Sequence, residues 1–393
     1  MKKLLLLIPE MRGGGAERVI GILASQFAAL GHDVTLMLTN QHVEDAVGYT
    51  LHENVKFDSL LAHLLPESGV QKAKRFIVKQ YTRVAGNLFE TCHKRVPDHV
   101  AYGTFYWQYH GKVLALRKIL QSNPQTEIIV FSQPSVNIAL LAADGLPNEV
   151  ILSERLDPAR YEKNRYMPYF VKRWYPTAKR LVFQTESAMS FFHGEALRKG
   201  VVIPNPLNPA LPEPYHGKRN KTIVSFCRMT PQKNLKLLVD TFSCVHEKYP
   251  DYRLEIYGEG ESKEEIISYV SEKGLQPFVE IKPFDKTLHR KILDSCMFVS
   301  SSDYEGMSNS MLEALAIGLP AVCTDCPAGG ARAIIQDHEN GLLVPVRDVL
   351  ALANAMNEVI EDPQLAQKLS ENGAKIRDEL NVEAIGRRWL ELL

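Results

Sequence analysis

The sequence predicts an α/β fold made of two doubly wound, parallel-sheet (Rossmann-like) domains. Three observations carry that expectation. Short apolar runs alternate with longer helical patterns along the chain. The alternation stops at the proline-rich stretch PNPLNPALPEPYHGKRNK and then restarts. At 393 residues the chain is also too long for one typical core.

The elements follow in order. Lys3–Ile8 reads as a buried strand. The start, MKKLLLLIPE, has the basic head and apolar core of an export signal. Its apolar run is only about six residues long, however, and Pro9, Glu10 and Arg12 follow at once, so we read a strand. Ala16–Leu30 is a helix closed by Gly31, and Val34–Leu38 a second strand. Residues 41–70 read as irregular, with a short strand at Val55–Phe57. Two helical patterns follow, near 70–95 and 105–121. Strands are expected at Glu127–Phe131, Val150–Ser153 and Arg180–Phe183, with helices at about 134–144, 159–174 and 186–198. Val201–Ile203 leads into the prolines.

Beyond them, Thr222–Phe226, Arg253–Tyr257, Val279–Ile281, Met297–Ser300, Ala321–Thr324 and Gly341–Val344 are strand candidates with helices between. The expected organisation is a first domain over 1–204, a linker over 205–220 and a second domain over 221–379. A C-terminal helix over 380–393 is expected to pack back on the first domain. Ligands of such sheets bind beyond the carboxyl ends of the strands, so a central cleft between facing domains is expected.

Composition narrows the function class. Hydrophobic content of 45% and charged content of 23% suit a soluble globular enzyme. No apolar run reaches the roughly 18 residues of a membrane span. The six cysteines form no disulfide framework, which fits a reducing compartment. Cys323-x-x-Cys326 has no second pair and no nearby histidine cluster, so zinc is not expected. Net charge is zero, but residues 1–200 hold 25 Lys/Arg against 18 Asp/Glu, which leaves the remainder acidic. Residues 71–95 and 155–180 are strongly basic, the latter interleaved with Tyr161, Tyr166, Tyr169, Phe170, Trp174 and Tyr175. These segments read as solvated basic faces, or as contacts for an anionic membrane surface or an anionic acceptor. With no nucleic-acid fold motif and no net positive charge, nucleic acid is not an expected partner.

Several stretches bear on chemistry. PEMRGGGAERV lies between the first strand and first helix, where Gly13, Gly14 and Gly15 let backbone approach a ligand at a helix N-terminus. It fits neither G-x-G-x-x-G nor a P-loop. In VSFCRMTPQKNLKLLV, Arg228 and Lys233 sit between a strand and a helix, where two cations can clamp a diphosphate. IYGEGESKEEI adds Gly258 and Gly260 at another strand end. In SSDYEGMSNSMLEALAIGLP, Ser308 and Asn309 are N-cap types and an apolar helix follows, closed by Gly318. Glu305 precedes that helix and Glu313 lies about one turn inside it. The uncapped amides between them suit a phosphate. An ordinary capped core helix would show the same pattern.

Together, Glu305-x7-Glu313, Arg228 with Lys233, the YGEG turn, GGGAERV and the run EGMSNSMLEALAIGLPAV with GGARAIIQDHENGLLVP resemble a known family. It is the retaining nucleotide-sugar glycosyltransferases of family four, or group 1, with the GT-B fold. The resemblance spans nearly the whole chain and is strongest over residues 222–345. Within the family it is most similar to enzymes of bacterial cell-surface polysaccharide and lipid-linked oligosaccharide assembly.

The resemblance implies roles. The first domain would bind the acceptor and the second the nucleotide sugar, with UDP as the expected nucleotide. Arg228 and Lys233 would neutralise the donor diphosphate, and backbone near Gly306, Met307, Ser308 and Asn309 would hold phosphate. Glu313 would accept hydrogen bonds from ribose and Glu305 would touch the donor sugar. Gly14 and Gly15 would approach donor phosphates or the acceptor, and Gly258 a flat base. Cationic stabilisation implies no metal cofactor, and no D-x-D motif occurs. Many relatives carry a histidine after a first-domain strand. Here ILSERLDP puts Arg155 at that position, either to bind an anionic group or to pair with Glu154 or Asp157.

The expected enzyme is cytoplasmic and peripheral to the inner face of the cell membrane, with a lipid-linked glycan as acceptor. A GT-B sugar-nucleotide epimerase and a non-enzymatic membrane-surface scaffold are the alternatives. The intact set Arg228, Lys233, Glu305 and Glu313 argues against the scaffold.

Overall fold

The computed structural model describes residues 1–46, 50–66, 69–91, 97–155, 166–285 and 287–393. They form two compact units. The first comprises Met1–Gln184, Ala188–Ile203 and Gly386–Leu393, and the second Thr185–Ser187 and Pro204–Ile385.

The first unit holds β1 (Lys3–Ile8), β2 (Asp33–Leu38), β3 (Val55–Ser59), β4 (Thr126–Phe131), β5 (Val150–Ser153), β6 (Arg180–Phe183) and β7 (Gly200–Val202). They make one sheet in the order β3-β2-β1-β4-β5-β6-β7, and every pairing is parallel. Parallel strands are covered on both faces, so they read as continuous apolar runs; Leu4 to Ile8 and Ile128 to Phe131 are all buried. Helix Gly15–Ala29 crosses from β1 to β2, and helices Gly69–Thr91 and Asp98–Gln121 precede β4. The pattern expected as one helix over 186–198 is two short ones, Glu186–Met189 and Gly194–Arg198. Of the helix expected at 159–174, Met167–Trp174 is seen; Tyr161 and Asp157 lie outside the described residues.

The second unit holds β8 (Thr222–Phe226), β9 (Arg253–Tyr257), β10 (Val279–Lys282), β11 (Met297–Ser300), β12 (Ala321–Thr324) and β13 (Leu342–Val344). Their order is β10-β9-β8-β11-β12-β13, again all parallel. Residues 205–220, expected as a linker, are part of this unit. Leu207 N–H donates to Leu380 C=O at 2.8 Å, and Tyr215 N–H to Ile317 C=O at 3.2 Å. The Arg219 guanidinium gathers the carbonyls of Leu293 and Ser295 at 3.3 and 3.0 Å.

Candidate functional site

In each sheet the strand order reverses once, between β1 and β4 and between β8 and β11. At such a reversal the loops leaving the two central strands diverge, and a crevice opens beyond their carboxyl ends. In the second unit those loops carry Arg228 and Lys233 after β8, and Glu305 after β11.

The two loops are joined by side chains. Lys233 ends a short turn, Pro231–Lys233, and Asn234 follows in the left-handed region at φ 45°. Asn234 Oδ1 accepts the Leu237 N–H at 3.4 Å and so caps helix Leu235–Lys248, while its Nδ2 donates to Asp303 Oδ1 at 2.8 Å. Arg347 Nη2 donates to the other Asp303 oxygen at 2.8 Å. Ser301 Oγ donates to the Lys233 carbonyl at 2.9 Å, and Gln232 Nε2 to the Tyr304 carbonyl at 2.8 Å.

This frame sets Lys233 Nζ against Glu305 Oε2 in an ion pair. The same oxygen accepts from Gln232 Nε2 and from Ser302 Oγ, each at 3.3 Å. Both charged side chains are largely buried, with 15% and 19% of their surface exposed. Burial works against the Lys233 charge, but the Glu305 carboxylate outweighs it and holds the lysine pKa above its ordinary value. The crevice beside the pair is lined by Lys233 with Ser225, Ser301, Ser302, Ser308 and Ser310. An ammonium, several hydroxyls and a helix N-terminus suit a polyoxygenated anion.

Helix Asn309–Ala316 starts where the sequence predicts, with Ser308 Oγ accepting the Met311 N–H at 3.4 Å. Its first turn is braced by Asn205, whose Nδ2 donates to Asn309 Oδ1 at 2.7 Å and to the Met307 carbonyl at 3.3 Å. A Cβ on Gly330 would lie 1.5 Å from the Gly306 carbonyl oxygen, so the GGAR loop packs directly on the Gly306–Met307 backbone.

Other expected residues sit differently. Glu313 is buried at 3% exposure, and its Oε2 meets His289 Nε2 at 3.0 Å. Arg228 is exposed. Gly258 and Gly260 have φ of 151° and 153°; a Cβ would lie 1.9 Å from the Cys227 carbonyl oxygen and 2.2 Å from that of Met229. These glycines let the loop after β9 cross the loop after β8, a close approach of backbone to backbone. The structure therefore brings Lys233 and Ser308 to one crevice, with Glu305 held against Lys233 and Gly306, Met307 and Asn309 flanking Ser308 in the chain. Glu313 lies deeper, against His289.

In the first unit, Gly13 takes φ 95° and Gly14 caps helix Gly15–Ala29. The Glu17 carboxylate accepts the N–H of Gly14 at 2.7 Å and that of Arg12. An acid of the chain itself thus takes amides expected to meet a phosphate, and a donor role for Gly14 needs Glu17 to move. Arg155 is buried with its guanidinium 4.0 Å from the Phe131 ring centroid and 5.9 Å from that of Trp389. Burial pulls its pKa down to about 9 against the opposing pull of Glu154, itself buried and accepting from Tyr175 Oη at 2.9 Å.

Among the described residues no group of three or more His, Cys, Asp or Glu could hold a metal ion. Burial pushes the Cys326 thiol up to about 12 and Cys323 higher, so both stay neutral thiols at physiological pH. Sequence reasoning missed His289, Gln232, Asn205 and Glu17. Only Glu17 left a signal, an acid three positions after the Gly14 cap.

Residues 212–376 match the family model described as glycosyl transferases group 1. The chain is 24% identical over 393 residues to the N-acetylgalactosamine-N,N'-diacetylbacillosaminyl-diphospho-undecaprenol 4-alpha-N-acetylgalactosaminyltransferase of Campylobacter jejuni, covering 96% of this chain and 95% of that one. It is 30% identical over 183 residues to the poly(ribitol-phosphate) alpha-N-acetylglucosaminyltransferase of Staphylococcus aureus, covering 46% and 36% of the two chains. Against four curated relatives, that one included, the chain spans 27% to 62% of their length. The fold is similar to that of Anabaena HepE in complex with UDP-glucose, with TM-score 0.71, 18% identity and coverage of 100% and 99%. That structural likeness makes the two-domain architecture a GT-B fold.

Proposed function

We propose, from the match of residues 212–376 to the glycosyl transferases of group 1, that the protein moves a sugar from a nucleotide donor to a hydroxyl of a lipid-linked glycan or a cell-surface polysaccharide precursor. The single observation that carries the reading is the Lys233–Glu305 pair at the β8/β11 reversal, beside the N-terminus of helix Asn309–Ala316. A nucleotide diphosphate there meets an ammonium, serine hydroxyls and helix amides. The bond from the anomeric carbon to the diphosphate oxygen breaks, and the acceptor oxygen bonds to that carbon. The acceptor proton leaves on the departing phosphate. Negative charge grows on the diphosphate as it departs, and Lys233, with Arg228 folding in from the surface, stabilises it. Glu305 faces the sugar, Glu313 the ribose, and the anomeric configuration is retained.

The HepE complex makes UDP the first nucleotide to test, and the Campylobacter relative supports a diphospho-undecaprenol-linked acceptor. An enzyme of this kind works at the inner face of the cell membrane without a metal. The test is a screen of UDP-, GDP- and ADP-sugars by thermal shift, then incubation of the stabilising donor with undecaprenyl-diphosphate-linked glycan. The expected result is acceptor-dependent release of UDP and a glycan enlarged by one sugar of retained configuration. Donor binding without transfer to any such acceptor, or an inverted anomer, overturns the reading.

A further inference from the structure

Helix Gly69–Thr91 carries exposed apolar residues away from its packed side. Its inner side holds Val78, Thr82 and Ala85. Ala85 packs on Val100 and Ala101 of the next helix, and Gly103 lets the two backbones close. A Cβ there would sit 3.4 Å from Thr82 Cγ2 and 3.7 Å from Val78 Cγ1. Val70, Ile77 and Val84 recur every seven residues, two turns apart, and so line up along the helix away from that packed side. They are 66%, 64% and 63% exposed, and Phe76 beside them is 63% exposed. Isolated exposed apolar residues are ordinary, but a stripe of three with Phe76 about a quarter turn round makes an apolar face on one helix.

The stripe is flanked by Lys72, Arg75, Lys79 and Arg83, all exposed. No acid occurs between residues 69 and 89. An apolar stripe with a basic flank and no acid is the pattern of a helix that lies in a lipid interface. The helix is 23 residues long, about 34 Å at the usual rise. No described helix is long and apolar enough to cross a membrane, so this one is suited to lie along the surface. The second basic segment differs. Its Phe170, Trp174 and Tyr175 are core residues, at most 5% exposed, and give lipid nothing apolar.

We propose that helix Gly69–Thr91 is a docking surface for an anionic lipid bilayer, with Val70, Phe76, Ile77 and Val84 entering the interface and the four basic residues meeting acidic headgroups. The proposal deepens the membrane-linked reading above, and its test is independent of catalysis. The full chain is sedimented with vesicles of phosphatidylcholine alone, and with vesicles that also contain phosphatidylglycerol, without nucleotide. The wild type is expected to pellet only with the acidic vesicles, and less as salt is raised. The double variant Ile77→Glu/Val84→Glu, at solvent-facing positions, should bind at least tenfold more weakly while keeping its melting temperature. Lys72→Gln/Lys79→Gln/Arg83→Gln should bind more weakly and lose salt dependence.

Equal binding to both vesicle types, or glutamate variants that bind like wild type, overturns the proposal. So does a lipid-free dimer that Ile77→Glu/Val84→Glu dissociates, since the stripe is then an interface between copies. A chain that is stabilised by UDP yet ignores acidic vesicles refutes this inference alone. One that binds vesicles but no nucleotide sugar refutes the proposed function alone.

Discussion

Lys233 and Glu305 are 72 positions apart and form an ion pair that bridges the loops after the two central strands of the second unit. Both sequence stretches converge there because β8 and β11 are neighbours in the sheet. A pair at this reversal serves the frame and the ligand at once, so its variants should separate the two roles.

Lys233→Ala leaves the Glu305 carboxylate partly buried without its cation, and should cost up to about 3 kcal/mol of stability. It should also lower kcat and weaken UDP binding. Glu305→Gln keeps the shape and can still accept from Lys233 through its amide oxygen, but it removes the charge, so beyond a stability cost from the unpaired ammonium its loss should fall on kcat. The Lys233 pKa is raised in the folded protein, so its contribution is complete below the ordinary lysine value of 10.5 and is lost as pH rises through the raised one. Wild type should therefore lose more melting temperature than Lys233→Met on going from neutral to strongly alkaline pH. Parallel alkaline losses in the two proteins would contradict the linkage.

Glu313 and His289 make a second, deeper pair. Glu313→Gln can still bond His289 and should melt like the wild type, while the donor KM rises and kcat holds, because ribose contacts are made in ground and transition states alike. His289→Ala leaves Glu313 without that partner and should cost about 1–3 kcal/mol. It should raise donor KM with little change in kcat. Urea melts and donor titrations check both; a normal KM in folded Glu313→Gln removes the ribose role.

Three glycines should respond unequally to alanine. Gly258→Ala and Gly330→Ala drive a Cβ to 1.9 Å and 1.5 Å from backbone oxygens. Main chain cannot step aside as a side chain does, so we expect losses above about 3 kcal/mol or no folded protein. Gly13→Ala has open space around its Cβ and suffers only from φ 95°, about 1–2 kcal/mol. Denaturant midpoints rank them; a folded, stable Gly330→Ala would contradict the close approach to Gly306.

Metal removal is the fourth test. If Lys233 and Arg228 supply the positive charge for departure of the diphosphate, EDTA should leave the transfer rate unchanged. Loss of activity that magnesium or manganese restores would refute it.

The strands were legible because buried parallel strands carry no alternation to confuse with helix: Leu4 to Ile8 could be little else. Helix Asn309–Ala316 was legible from its Ser308 cap and closing Gly318. Glu305 and Lys233 could be named, but their pairing could not, since it depends on which strands are neighbours. His289 belongs to a helix of four residues, Leu288–Lys291, too short to have a period. The contact of Gly258 with the Cys227 carbonyl was not legible, because a missing Cβ records a close approach without saying to what. The proline-rich stretch looked free because Asn205 and Arg219 reach partners about one hundred positions away or more.

The first unit is discontinuous in the chain, since Gly386–Leu393 belongs to it. Trp389 in that segment is fully buried, 5.6 Å from Phe131 between ring centroids. A ribosome therefore finishes the whole second unit before it makes the indole that completes the first core. Until then Phe131, at the end of a central strand, lacks the indole that packs beside it. The earliest-synthesised unit is thus the last to be sealed, and a nascent chain stalled before Trp389 would hold a finished second unit beside an unfinished first.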